Sequence, residues 1–457
     1  MTMWKPWLAG SSGPLYRRVA LALQEDISAG RLQAGARLPT HRELARALKT
    51  TVVTASRAYR EAADRGLVRG DVGRGTFVAP AAAGGASLQA APDLVELTAN
   101  FVSVRSGLPD PPRQESAGGR QFWEELERRY PPGGSPQHRS AGAAWVRRGS
   151  WAPRAAEVVV TSGAQHAILV ALAALARPGH VVYAEALTYP GIKAAARTLG
   201  LELRAVAIDE QGLVPAALAE QCAGQRGGVV FCQPSLHNPT SAVMSEARRQ
   251  ELVALARQRD MMVIEDAVYE FMLPDPPPSL ASLAPERTCY IVSCGKAFVP
   301  GLRVGYLVSP EHLVPRLQAE VAATGLVTAP TLVDLATRWI VDGSAGGIAA
   351  AKRQEARRRQ EIARAVLVGS RYASHPASSH LWLTLPAPWS VEPFVEEARR
   401  RGVAVNPAAP FAIDSAAIPA AVRICLGPVV ERDLLAEALS RIAQILAAPP
   451  PPEEPVV

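Results

Sequence analysis

Six short apolar runs constrain this chain more than any other feature: EVVVTSG (157–163), HVVYAE (180–185), GGVVFCQ (227–233), MMVIED (261–266), CYIVSCG (289–295) and GYLVSP (305–310). Each is nearly continuous in apolar character, the pattern of a strand covered on both faces rather than one. Helical segments such as AQHAILVALAALARPG and SEARRQELVALARQRD separate several of them. That alternation predicts a large α/β domain with a mostly parallel sheet over residues 94–447. A smaller α+β lobe is expected after a long helix across 347–367. Open sheets of this kind bind ligands at the carboxyl ends of their strands. The residues just after each run are therefore where chemistry belongs.

The first eighty residues differ from the rest in charge. They hold 13 Lys/Arg against 6 Asp/Glu, while the remainder balances at 36 of each. A basic head on a neutral body predicts a nucleic-acid-binding domain joined to one that does not bind. Helical spacing of Leu15, Val19, Leu23 and Ile27 argues against a disordered basic tail. Thr40 stands as an N-cap before HRELARALK, and Thr50 or Thr51 can cap VVTASRAYREAADRG, with Val53, Ala58 and Tyr59 read as facing inward. LVRGDVGRGTFVA then reads as two strands joined by a Gly-rich turn. Three helices and a hairpin make a winged helix-turn-helix over 1–79. Residues 80–93 read as a Pro/Ala/Gly linker and 448–457 as a disordered tail.

Composition excludes several classes. At 48% hydrophobic and 20% charged residues, the chain has an ordinary globular balance. No apolar run nears the roughly 20 residues of a membrane-spanning helix, and the first residues lack the apolar core of a signal peptide, so a cytoplasmic location is expected. Five cysteines form no CxxC pair, so neither a disulfide nor a metal site is expected.

The head resembles the GntR type of winged helix-turn-helix, through LP-x-x-RELA at its second helix and GRGTFV in its wing. Recognition helices of this motif enter the major groove N-terminus first. The resemblance thus assigns base-edge contact to Thr51, Val52 and Thr54, with Ser56 and Arg57 next. Val52 stands where relatives often carry arginine, and suits a thymine methyl rather than a guanine. Thr40 and Arg42 at the second helix and Arg74 in the wing are the candidates for phosphate or groove contact.

In the body, one residue asks for explanation. Of the 49 Lys plus Arg, five are lysine, yet Lys296 sits among small residues after a strand in SCGKAFVPGLR. Lysine can lose a proton and condense with an aldehyde, which arginine cannot. The familiar aldehyde cofactor is pyridoxal phosphate, which also needs a carboxylate on its ring nitrogen and donors for its phosphate. Gly163, Ala164 and Gln165 open a helix and offer N–H groups to an anion. Asn238 in HNPT and Tyr269 suit the phenolic oxygen, Asp266 the ring nitrogen, and Ser293 and Arg303 the phosphate. Tyr189 in LTYPG is a candidate ring over the pyridine face.

The order SGAQ, TYPG, NPT, D-x-x-Y and S-x-x-K-x6-R resembles fold type I aminotransferases, and the whole chain resembles the MocR-type regulators of the GntR superfamily. That resemblance implies pyridoxal phosphate held by Lys296, and an effector carboxylate held by Arg423 in AVRICLG. It also implies Tyr130 reaching the partner subunit's cofactor phosphate in a domain-swapped homodimer. Two positions depart from the pattern: Ser241 follows NPT in place of glycine, and Ala267 follows Asp266 in place of a second acid. The resemblance implies a transcription factor that binds a double-stranded operator and senses an amino compound or the cofactor itself. The rival reading is a working aminotransferase with a DNA-binding appendage, and the basic head favours the regulator.

Overall fold

The computed structural model describes residues 36–64, 67–71, 75–78, 94–104 and 130–449, together with residues 4, 15, 18, 19, 22, 23, 26, 32 and 127. The chain divides into two compact units, Met1–Ala90 and Ala91–Val457. Ile27, Arg74, the linker 80–93 and residues 450–457 lie outside the described residues.

In the first unit, helix α1 (His41–Ala47) begins at a reciprocal cap. The Thr40 hydroxyl accepts from Glu43 N, and the Glu43 carboxylate accepts from Thr40 N at 2.7 Å. Helix α2 (Val52–Asp64) is capped by Thr51, whose hydroxyl accepts from Thr54 N at 3.2 Å. Ala55, Ala58, Tyr59 and Ala62 lie at one helical stripe and pack with Leu44, Leu38 and Val19. Val53 does not join them. It lies off that stripe and is 78% exposed, which corrects the expectation that it faces inward. Strands β1 (Val68–Asp71) and β2 (Gly75–Val78) pair antiparallel as the wing. Residues 36–38 also pair with this hairpin: Leu38 N donates to Thr76 O, and Val78 N to Ala36 O.

The second unit opens with β3 (Val95–Glu96) and helix α3 (Pro136–Val146). A seven-stranded sheet follows, built from β4 (Val158–Thr161), β5 (Val181–Glu185), β6 (Glu202–Val206), β7 (Val229–Cys232), β8 (Met262–Asp266), β9 (Thr288–Ser293) and β10 (Gly305–Val308). Its order is β4-β10-β9-β8-β7-β5-β6, with β10 antiparallel to both neighbours and the other contacts parallel. All six apolar runs are strands of this sheet. Edge strand β6 is not among them, because ELRAV carries two charged residues and is only partly covered.

Both faces are packed, which is why the runs read as continuous. Val159, Phe231, Ile264 and Ile291 meet helix α4 (Ala164–Leu175) on one side. Tyr183, Val230 and Val263 meet Leu252 and Ala256 of helix α6 (Glu246–Arg259) on the other. Between these helices in the chain lies α5 (Pro190–Thr198). Lys296 lies on α7 (Cys294–Ala297), and α8 (Val314–Gly325) and α9 (Pro330–Val341) precede the long α10 (Ser344–Val366).

The small lobe carries β11 (Tyr372–Ser374), β12 (His380–Thr384), β13 (Val403–Ala404), β14 (Asn406–Pro407) and β15 (Ala421–Cys425). Four of these form the antiparallel sheet β11-β12-β15-β14, backed by α11 (Val391–Arg400) and α12 (Arg432–Ala447). The lobe does not simply follow the long helix. Strand β3 pairs with β13, and Val95 and Leu97 sit in the lobe's core. The beginning of the body therefore belongs with its end. In the expected tail, Ala448 O accepts from Trp389 Nε1 at 3.0 Å.

Arg359, on α10, ties the two parts of the body together. It is 1% exposed and donates to Leu426 O at 2.7 Å, to Val429 O and to Val430 O, with Glu355 as its counter-ion. Leu426 follows the strand that bears Arg423, so the clamp fixes that strand's end. Arg359→Ala leaves three carbonyls without their donor and removes one of the two arginines paired with Glu355. It is expected to lower the unfolding free energy of the body by about 3–5 kcal/mol, measured by urea denaturation of the full chain.

Candidate functional site

The parallel strands bring the singled-out residues to one sheet edge. Strands β4, β5, β7, β8 and β9 end there, delivering Gly163, Tyr189, Asn238, Asp266 and Lys296. Antiparallel β10 starts there, with Gly305 opposite Ser293 and Thr161, so Arg303 arrives at the same edge. A side chain on Gly305 would stand 2.8 Å from the Gly163 carbonyl carbon and 3.1 Å from Ala164 N. Only glycine allows that approach. Gly163 caps α4 at φ 86, and the exposed Arg303 sets its guanidinium beside it, 3.2 Å from where a Gly163 side chain would begin. A helix N-terminus and a guanidinium thus face the same space. Ser293 is 7% exposed at the end of β9.

Lys296 Nζ donates to Asn100 O at 2.5 Å and lies 5.5 Å from the Tyr269 ring centroid. Tyr269 OH donates to the same carbonyl at 3.4 Å. Enclosure pulls the Lys296 amine down to about 8; Arg423 and Arg303 push the same way, against Cys425 and Asp266. Asp266 is 3% exposed and accepts from Val268 N at 3.3 Å and Gln233 Nε2 at 3.4 Å. Burial raises its carboxyl to about 7, opposed by Val268 N and Lys296. Among the described residues Asp266 has no ion-pair partner within 4 Å, so a cationic nitrogen beside it would relieve a real desolvation penalty.

Arg423 is buried within the lobe rather than lying on its surface. Its Nη1 donates to Asn238 Oδ1 at 2.7 Å and its Nη2 to Thr98 O at 2.7 Å, while Nε is buried without a partner. The guanidinium stacks on Phe411 at 4.8 Å. Tyr189 starts α5, and its hydroxyl is raised by burial and by Asp266, with Arg303 and Arg423 opposing. It therefore feels the same charges as the rest of the cluster. Gln165 Nε2 donates to Gly191 O at 2.9 Å, leaving Oε1 buried and unpartnered. Tyr130 stacks on His138 at 5.7 Å and lines a small cavity with Thr328 and Val333; none of the cluster's side chains lines it. Ser241 takes φ 63, the backbone region glycine favours, and its hydroxyl is bonded to Ser378 Oγ at 2.8 Å and His380 O at 3.2 Å.

Sequence reasoning missed the segment that closes the site. Thr98 and Asn100 act through main-chain carbonyls, for which no motif exists. Asn100 is fixed by its side chain, which accepts from Ser379 Oγ at 2.7 Å and meets His380 Nδ1 at 3.1 Å. Beneath the site Glu185 and His237 approach to 4.0 Å. Burial pushes Glu185 up to about 8 and His237 down to about 4, so between these values the pair is held neutral rather than ionised.

In the head, Thr51 at the cap of α2, Val52 and Arg57 on α2 and Arg42 on α1 are exposed, with Thr54 and Ser56 half-buried. Ser56 Oγ lies 3.0 Å from His41 Nδ1. The Thr40 hydroxyl is engaged by its own cap and by Glu43 Oε2 at 2.9 Å. Val52 and Val53 together present methyl groups at the helix start.

Fold and site define an aminotransferase-like body carrying a DNA-binding winged helix. Residues 92–442 match the family of class I and II aminotransferases, and residues 15–78 match the bacterial regulatory proteins of the gntR family. The chain belongs to the MocR-type transcriptional regulators of the GntR family. It is 28% identical to the uncharacterized HTH-type transcriptional regulator YdeF of Bacillus subtilis (strain 168), over 92% of each chain. It is 31% identical to the HTH-type transcriptional regulator TauR of Rhodobacter capsulatus, over 68% of this chain and 70% of that one. Among solved structures the body is similar in fold to LysN, an alpha-aminoadipate aminotransferase of Thermus thermophilus. There the TM-score is 0.70 at 24% identity, over 78% of this chain and 92% of that one.

Two outcomes are expected. A carboxyl raised on folding stabilises fully below its ordinary value of 4.5, and that contribution is lost as pH rises through about 8. Glu185→Gln should therefore flatten the loss of stability between about pH 5 and pH 8, by on the order of 2–4 kcal/mol in denaturation midpoints converted to free energy. In the head, Arg42→Ala should reduce the slope of log affinity for operator DNA against log salt by about 0.9, as loss of one phosphate contact requires.

Proposed function

We propose that the body holds pyridoxal phosphate at Lys296 and uses it to sense an amino compound bearing a carboxylate. Class I and II aminotransferases depend on this cofactor, and the residues present fit it. Lys296 would hold its aldehyde carbon and Asp266 its ring nitrogen. Asn238 and Tyr269 would hold its phenolic oxygen. Ser293, Arg303 and the α4 N-terminus at Gly163, Ala164 and Gln165 would hold its phosphate, with Tyr189 over the ring. Bound there, the cofactor supplies an aldehyde that exchanges one amine for another.

One observation carries the sensing role: Lys296 and Arg423 both donate to carbonyls of the same short segment, at Asn100 and Thr98. A ligand carboxylate competes with Thr98 O for Arg423, and an aldehyde at Lys296 removes its bond to Asn100 O. The two events loosen one strap, which lies just after the linker to the head. A ligand shifts such an equilibrium only by its preference for one arrangement. Here that preference comes from replacing main-chain acceptors with a charged carboxylate, the stronger partner for a guanidinium. In this reading two chains pair through their bodies, Tyr130 completes the partner's phosphate site, and two heads meet a two-half-site operator.

The purified protein loaded with pyridoxal phosphate is expected to absorb in the visible, and Lys296→Ala to lose that band. Amino acids should change the spectrum and alter operator binding. Arg423→Met should weaken the response to amino acids by about 10–100-fold while leaving simple amines nearly unaffected. A wild-type protein that stays colourless with the cofactor sinks the reading. Sustained turnover of amino donor and keto acid at enzyme-like rates would replace sensing with catalysis.

A further inference from the structure

Three of the chain's five lysines lie in the body, and each donates to the main chain. Lys193 donates to Pro410 O and Ala412 O, Lys296 to Asn100 O, and Lys352 to the carbonyl of Lys296 itself at 2.8 Å. Lys352 lies on α10 and is 1% exposed. We propose that Lys352 is a positioning residue for Lys296, holding the main chain that carries the Lys296 amine and keeping a positive charge behind it. The proposal rests on reading Lys296 as the group that takes an aldehyde.

Helix α7 is four residues long, so its last carbonyls have no partners within the helix. Phe298 N serves Cys294 O. The Lys352 ammonium serves Lys296 O, where a helix C-terminus favours a cation. Bonding that carbonyl fixes the peptide from which the Lys296 side chain departs.

The charge has a second effect. A buried cation nearby disfavours a second one, so the neutral, nucleophilic form of Lys296 gains. Lys352 is itself drawn down to about 8, by burial first and then by the charge of Lys296. Other charged groups nearby are accounted for. Asp266, Arg303, Arg423 and Cys425 act on Lys296 itself. On the turn packed against α10, Glu270 accepts from Tyr290 OH. On α9, Asp334 is bonded to His138, and on α10 itself Glu355 is paired with Arg359 and with Arg432 of α12. Arg353, next to Lys352, is directed at Phe271 O. None of these neutralises Lys352.

The full-length chain labelled with 13C at the lysine ε-carbon gives a spectrum of five residues, in which each amine titrates separately. Lys352→Met is expected to raise the Lys296 midpoint by roughly one pH unit, and Lys352→Arg, which keeps the cation, to leave it at or below the wild-type value. By reciprocity Lys296→Ala should raise the Lys352 midpoint by a similar amount, a measurement that survives if the methionine variant fails to fold. Midpoints unmoved in both directions overturn the proposal. In a separate arm, pyridoxal phosphate is trapped with borohydride near neutral pH and the modified peptide identified. Lys352→Met should trap at Lys296 about tenfold more slowly, with Lys352→Arg restoring the rate. Equal trapping rates in wild type and Lys352→Met overturn the positioning role. Coupled titrations without any trapping in wild type would keep the Lys352–Lys296 coupling and remove the cofactor reading instead.

Discussion

Lys296 and Arg423 come from opposite parts of the body, one after strand β9 of the large sheet and the other from the small lobe. Both are held by the main chain of Thr98–Asn100. That shared set of acceptors is the constraint on which the rest depends. It requires the beginning of the body to run through the lobe, which the pairing of Val95–Glu96 with Val403–Ala404 enforces. It also requires the end of the Arg423 strand to be fixed, which the Arg359 clamp does from the long helix. An aminotransferase-like scaffold becomes a candidate sensor because the acceptors satisfying its two cations belong to the segment nearest the DNA-binding head in sequence.

Desolvation governs the chemistry beneath that segment. Asp266 and Glu185 are raised, His237 and His380 lowered, and Lys296 and Lys352 lowered, all with burial as the leading cause. Burial therefore moves each of these groups toward its neutral form relative to its ordinary value. A neutral amine at Lys296 is the form that reacts with an aldehyde, and the carboxylate of Asp266 is the form that a cationic nitrogen would stabilise against burial.

The large sheet was legible because both its faces are covered, which makes buried strands read as continuous apolar runs. Edge strand β6 escaped because ELRAV carries two charged residues and is only partly covered, from exposed Glu202 to buried Val206. Val53 misled for a related reason: valine suggests a core, but the helical stripe is set by Ala55, Ala58, Tyr59 and Ala62. Its exposure matters for the head, since methyl groups at the start of a recognition helix are what a thymine edge offers contact to. Ser241 stands where the resembling sequences carry glycine. The left-handed backbone there explains the usual preference, and its bonds to Ser378 and His380 hold the serine.

The sequence by itself determined which residue types arrive at the sheet edge, because period and punctuation place Gly163, Tyr189, Asn238, Asp266 and Lys296 just after strands. It also determined that a basic winged helix precedes them, since charge and cap residues are local properties. Only the tertiary structure decided what those groups touch. The carbonyls of Thr98 and Asn100, the ammonium of Lys352 and the stacking of Phe411 on Arg423 join positions tens to hundreds of residues apart. Main-chain acceptors carry no residue signature, and a buried lysine's direction depends on packing that no local pattern encodes.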